Sequence, residues 1–149
     1  MRALALLGCA LLAFVGGVAI FGMVGMGCEK ARTKECPALL DVKARLARDV
    51  RTYPDPKTPI ETAQNWADEG AKYQSERDAL ERLTFADERL AIWASKWRDA
   101  FPLQARLARQ MSAAVKAGDW KTIADLQATW DDRKKTIDGI GQDVEAYCR

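Results

Sequence analysis

The side chains of this chain that could do chemistry are carboxylates and thiols, because the sequence contains no histidine. Without imidazole there is no Ser-His-Asp or Cys-His nucleophilic arrangement, no imidazole acid–base catalysis and no histidine-ligated metal. The glycine-rich phosphate-binding motifs are absent, as is the Glu-x-x-His motif of di-iron helical bundles. These absences remove most common enzyme mechanisms, and we expect no cofactor and no bound metal.

Two adjacent acidic pairs, Asp131-Asp132 and Asp87-Glu88, are the remaining candidates for catalysis. Successive residues on a helix point about 100° apart, so neither pair forms a shared site by itself. The basic run Arg133-Lys134-Lys135 follows the first pair at spacings that favour ion pairs one helical turn apart. The sequence therefore predicts a solvated helix face at these carboxylates, no catalytic residue, and a protein that is not an enzyme.

The four cysteines fall into two groups. Cys9 lies inside an apolar N-terminal run and Cys28 at its end, whereas Cys36 and Cys148 bracket the rest of the chain. A pair of cysteines at the two ends of a domain predicts a disulfide in an oxidising compartment. Two alternatives remain open: a bridge between Cys28 and Cys36 if Cys28 carries no lipid, and two unrelated buried thiols.

The N-terminal run, residues 3–27, is apolar and without charge, and it is long enough to span a hydrocarbon layer of roughly 30 Å. Three interpretations compete. The small residues before Cys28 resemble the bacterial lipoprotein signal, in which the cysteine thiol is lipidated, although Gly25 replaces the usual leucine. The other two are an uncleaved transmembrane anchor and a signal peptide cleaved without lipidation.

The charges that flank this segment weakly oppose export, because cytoplasmic flanks are rich in Lys and Arg. Only Arg2 precedes the segment, whereas Lys30, Arg32 and Lys34 follow it. The cysteine pair favours export more strongly. We therefore expect a location in the cell envelope, with the downstream domain anchored on the extracytoplasmic side of a membrane.

Three of the five tryptophans are candidate ligand contacts. Trp93 and Trp97 lie one turn apart on one helical seam, and Trp130 lies in the middle of another. Facing each other across a bundle, they could line an aromatic pocket. Aromatic residues at this spacing more often pack in the core. Trp66 and Trp120 fit their seams less well, and one of them is expected to be partly exposed.

Helical periodicity extends over the whole region that must position these residues, and no alternating strand pattern is evident. The first helix is expected from about Ala38 to Tyr53. The second begins at Thr58-Pro59-Ile60-Glu61, which has the pattern of a capping box with proline in the first turn. A break near Thr84 separates it from the third.

The third helix is expected to end near Ala117, with Pro102 inside it and Gln104 interrupting its apolar seam. Gly118 and Asp119 suit a left-handed C-cap and the next N-cap. The fourth helix carries the most regular seam, formed by Ile123, Leu126, Trp130, Ile137, Ile140, Val144 and Tyr147.

A disulfide between Cys36 and Cys148 requires an even number of antiparallel helices, because only then do the first and last ends meet. The predicted fold is therefore all-α, an antiparallel up-down four-helix bundle, with a three-helix variant if no break occurs near Thr84. The expected organisation is an export or anchor segment over residues 1–27, a short linker over 28–37 and the bundle domain over 38–149.

These expectations together predict a non-enzymatic, membrane-tethered envelope protein that acts through protein–protein contacts. Its partners would be the membrane, through the N-terminal segment or lipid on Cys28, and another envelope protein. The net charge of +2 gives no indication of nucleic-acid binding. The alternative is a ligand-binding or sensory bundle that uses the Trp93, Trp97 and Trp130 region.

Overall fold

The computed structural model describes residues 34–47 and 57–149. Predictions about the N-terminal segment and lipidation of Cys28 lie outside the described residues, as does the end of the first helix. Within the described ranges the chain consists of four helices with no strand, packed against each other. They are α1 (residues 34–47), α2 (Pro59–Glu81), α3 (Glu88–Ala117) and α4 (Trp120–Cys148). The all-helical prediction and the count of four are confirmed.

The start of α2 follows from its local sequence. The Thr58 hydroxyl accepts a hydrogen bond from the backbone N–H of Glu61, and the Glu61 carboxylate accepts one from the backbone N–H of Thr58. Pro59 lies in the first turn, where its missing N–H leaves no intrahelical bond unmade. The predicted capping box is confirmed.

The break between α2 and α3 occurs near Thr84, as the sequence predicted. Asp87, and not Thr84, is the N-cap of α3: its carboxylate accepts hydrogen bonds from the backbone N–H groups of Arg89 and Leu90. The four-helix arrangement therefore replaces the three-helix variant.

The turn between α3 and α4 uses the residues predicted for it. Gly118 adopts the left-handed conformation with φ of 67°, and the Asp119 carboxylate accepts from the backbone N–H of Thr122. The Thr122 hydroxyl also donates to Asp119 at 2.7 Å. These bonds hold the pKa of Asp119 below its ordinary value.

Two glycine substitutions are expected to change stability in opposite directions. Gly118→Ala should destabilise the protein by about 1 kcal/mol, because a Cβ is unfavourable in the left-handed region although no atom lies within 4 Å of its position. Gly139→Ala should stabilise it by up to about 1 kcal/mol, since Gly139 is inside α4 with equally open space around it. Urea unfolding of both variants measures the difference. Equal effects would contradict the backbone explanation.

Residues of α2 and α3 pair in reverse order along the two helices. The Arg98 guanidinium, in the first half of α3, donates to the carbonyl oxygens of Leu80, in the last turn of α2, and of Leu83, just after that helix. The Ser112 hydroxyl, near the end of α3, donates to the Ala63 carbonyl near the start of α2 at 2.7 Å. The two helices therefore lie side by side over most of their length.

At Gly70 the backbone of α2 lies against α3. A Cβ at this position would lie 3.1 Å from the Ala105 carbonyl oxygen and 3.3 Å from the Ala108 Cβ. A side chain larger than hydrogen at position 70 would therefore crowd α3.

Helix α1 is held between α2 and α4 by ion pairs. Arg45 forms two hydrogen bonds with the Glu76 carboxylate of α2, at 2.8 and 2.9 Å. Lys43 pairs with Glu145 of α4. The Glu76 carboxylate raises the pKa of Arg45, and Lys43 followed by Arg149 lowers the pKa of Glu145.

Helix α1 already includes residue 34, four residues before its predicted start. Pro37 therefore lies within the helix and not before it. Leu39 and Val42, the first two residues of the predicted apolar face, are fully buried. Among the described residues, the largest fully buried side chains are Trp97, Phe101, Leu39, Leu80, Leu90, Met111, Gln104, Val42 and Val144.

Candidate functional site

The two ends of the described region are joined covalently. Cys36, near the start of α1, forms a disulfide with Cys148, the last residue of α4, with a Cα–Cα distance of 5.6 Å. The predicted pairing is confirmed, and the alternative bridge from Cys36 to Cys28 is replaced by it.

A hydrogen-bond network lies at the same end of the molecule and involves three helices. The Tyr147 hydroxyl of α4 donates to the Asp87 carboxylate at 2.7 Å. The Glu35 carboxylate of α1 accepts hydrogen bonds from the backbone N–H groups of Ala86 and Asp87. Because Asp87 also caps α3, the start of α3 is held in place by side chains of both α1 and α4. Sequence analysis missed the roles of Glu35 and Tyr147 because both are non-local.

Of the three candidate ligand contacts, Trp97 and Trp130 belong to one aromatic cluster. Trp97 is fully buried, stacks on Phe101 at a centroid distance of 6.0 Å, and donates from Nε1 to the Ile137 carbonyl at 3.2 Å. Trp130 contacts Trp66 and Tyr73 edge-on, at centroid distances of 4.9 and 5.8 Å. The contact between Tyr73 and Phe101, at 5.6 Å, connects the two tryptophans.

Trp93 packs elsewhere, edge-on against Tyr147 with ring centroids 5.3 Å apart. The structure therefore connects Trp97 and Trp130 through other aromatic rings and places Trp93 against Tyr147, outside that cluster. Trp120 has 64% of its surface exposed, in agreement with the expectation that one of Trp66 and Trp120 would be partly exposed.

Gln104 is a polar side chain inside this core. It has no exposed surface, and its Nε2 donates to the Trp130 carbonyl at 3.5 Å. Its Oε1 has no hydrogen-bond partner in the described part of the chain. A buried acceptor without a partner is unfavourable by about 1–3 kcal/mol. The side chain that interrupts the predicted seam is therefore directed into the core and not into solvent.

The acidic pairs do not form a shared site. Asp131 and Asp132 are exposed, and Asp131 accepts a hydrogen bond from Gln127 one turn earlier. Asp87 is buried as a helix cap, whereas Glu88 is exposed. Over residues 34–47 and 57–149 there is no group of three or more cysteine and acidic side chains that could hold a metal ion. No helix in these ranges has the length and apolar character needed to cross a bilayer.

The exposed side of α3 has an unusual composition. Three exposed cations, Arg106, Arg109 and Lys116, lie on its second half, and no acidic residue occurs from Ala100 to Ala117. None of the three forms an ion pair with a carboxylate of the described residues. Two large apolar side chains on the same helix are partly exposed, Ile92 at 47% and Leu103 at 37%. We call these five residues, together with Gln110, the α3 outer face.

A shallow groove of 380 Å³ adjoins this face where α3 meets α4. Its lining is mainly apolar and is formed by Gln110, Ala113, Ala114, Ala117, Asp119, Thr122 and Leu126. Sequence analysis missed it because small residues on two helices carry no recognisable motif, and only their packing creates the groove.

Comparison with protein-family models, with curated proteins and with solved structures finds no match for this chain. The residues themselves define a helical domain closed by a disulfide.

Proposed function

We propose that this chain is a non-enzymatic envelope protein, tethered to a membrane by its N-terminal segment or by lipid on Cys28, that acts through protein–protein contacts. The observation that carries the proposal is the disulfide between Cys36 and Cys148, which closes a domain directly downstream of an apolar segment. Disulfides persist in oxidising compartments and are rare in the cytosol.

The finer architecture that we propose is an antiparallel up-down bundle. Its support is that the first half of one helix contacts the second half of the next. Arg98 in the first half of α3 contacts Leu80 near the end of α2, and Trp97 in the first half of α3 contacts Ile137 in the second half of α4. In this arrangement α1 begins at the disulfide end, directly after the N-terminal segment. The disulfide end would then face the membrane, with the Gly118 turn farthest from it.

A ligand-binding or sensory role through Trp93, Trp97 and Trp130 receives no support from a specific observation. Each ring contacts another aromatic side chain of the protein, and the groove next to α3 is lined by none of them. A contact role is therefore favoured over a ligand-binding role.

The proposal is tested by cell fractionation followed by intact mass measurement of the full chain. We expect the protein in the membrane fraction, with Cys36 and Cys148 oxidised and the domain accessible to protease from the extracytoplasmic side. A diacylglyceryl adduct on Cys28, or an intact Met1, identifies the mode of anchoring. Cys28→Ser should release the protein if lipid is the anchor, whereas Cys9→Ser serves as the matched control. A cytosolic protein with both thiols free would contradict the proposal.

A further inference from the structure

We infer that the α3 outer face, with the adjoining groove, is the surface that binds the partner, and that the partner presents an acidic, amphipathic segment. The inference rests on the proposed function and adds to it the location of the contact and the chemistry of what binds there.

The first argument is charge. Arg106, Arg109 and Lys116 are exposed cations on one helix, without an acidic residue between Ala100 and Ala117. Of the carboxylates that border the groove, Asp125 pairs with Lys121, whereas Asp119 caps α4 and keeps its negative charge. Asp99 is the one exposed acidic residue from Ile92 to Lys116, so the face carries a net positive charge although the chain as a whole is close to neutral. A negatively charged segment would complement it.

The second argument is apolar surface beside that charge. Leu103 and Gln110 lie two turns apart on the same side of α3, and Gln110 also lines the groove together with Ala113 and Leu126. Consider a partner helix that carries apolar residues on one side and acidic residues at the edges of that side. Its apolar residues would lie in the groove, and its acidic residues would lie beside Arg106 and Arg109. This is the way in which amphipathic helices bind apolar grooves.

Two other occupants fit less well. A second copy of this chain would bring the same cations together, and like charges across an interface are unfavourable. Anionic lipid would be contacted most readily by cations near the tethered end. Arg106 and Lys116 instead lie about 27 and 42 Å along α3 from Glu88, which is at the disulfide end. The groove between two helices also suits a side chain better than a flat bilayer.

The test is photo-crosslinking in cells that contain the full chain in its membrane, with Gln110 replaced by p-benzoylphenylalanine. We expect an adduct with another protein, and we expect mass spectrometry to place the crosslink in a segment that is net acidic and carries apolar residues at helical spacing. Neutralising the face with R106Q/R109Q/K116Q should reduce the adduct by about tenfold or more, because rim charges control association. The matched control is R82Q/R133Q/K135Q, which removes three exposed cations that lie off this face.

Thermal melting temperatures of both triple variants must match that of the unsubstituted chain, so that a lost adduct reports contact and not unfolding. An adduct that is insensitive to the face variant, a crosslink to lipid or to a second copy, a crosslink to a basic segment, or no adduct would overturn the inference. Fractionation of the same cells keeps the proposed function separate. If the protein is tethered outside the cytoplasm but Gln110 gives no charge-dependent adduct, only the inference about the surface fails.

Discussion

Replacing Cys36 and Cys148 with serine is expected to lower the free energy of unfolding by about 4 to 5 kcal/mol. The disulfide closes a loop with a sequence separation of 112 residues, and its removal restores the conformational entropy of that loop to the unfolded chain. Such a loss is a large part of the 5–15 kcal/mol that is typical of a folded domain. Urea unfolding, followed by tryptophan fluorescence and by circular dichroism, measures it.

The control is reduction of the unsubstituted protein. Dithiothreitol should shift its unfolding midpoint to that of the double variant and should leave the double variant unchanged. After reduction, α1 remains attached by ion pairs of Arg45 with Glu76 and Lys43 with Glu145, and by burial of Leu39 and Val42. The same midpoint with and without reductant would show that the crosslink does not stabilise the domain.

Trp97→Ala is expected to destabilise the protein by about 3–5 kcal/mol. Trp97 is fully buried, stacks on Phe101 and donates a hydrogen bond to the Ile137 carbonyl, so its removal leaves a cavity between α3 and α4. Trp97→Phe should have a smaller effect, since the ring contact persists and only the indole N–H is lost. Equilibrium unfolding in urea gives both values.

The matched control for this substitution is Trp120→Ala. Trp120 is the same residue type with 64% of its surface exposed, and its replacement should change the free energy of unfolding by no more than about 0.5 kcal/mol. A stable Trp97→Ala variant would argue against a core role for this ring and would revive the hypothesis of an aromatic pocket.

The features that could be predicted from the sequence are those with a local cause. The capping box at Thr58 and the turn at Gly118 and Asp119 form from residues adjacent in the chain, so their patterns are sufficient. The disulfide was predictable for a different reason. Cys36 and Cys148 bracket the domain, and their pairing in turn fixed the number of helices.

The features that could not be predicted depend on distant residues. Thr84 and Asp87 are both reasonable N-caps by composition, and Asp87 is selected because Glu35 and Tyr147 add hydrogen bonds from α1 and α4. The burial of Gln104 could not be inferred either, because its one hydrogen bond goes to the Trp130 carbonyl on another helix. The groove beside the α3 outer face likewise exists only after α3 and α4 have packed.

The covalent link between Cys36 and Cys148 also determines how the domain responds to mechanical tension. A pull applied to the chain segments that flank the two cysteines passes across the sulfur–sulfur bond and does not load the helices between them. While the disulfide is intact, this force cannot extend the chain between Cys36 and Cys148. A force applied through a partner bound to the surface of α3 acts differently. It is carried first by the noncovalent contacts between α3 and its neighbouring helices, and only then by the disulfide. The domain is thus rigid to tension along the backbone and can yield only to tension across its helices.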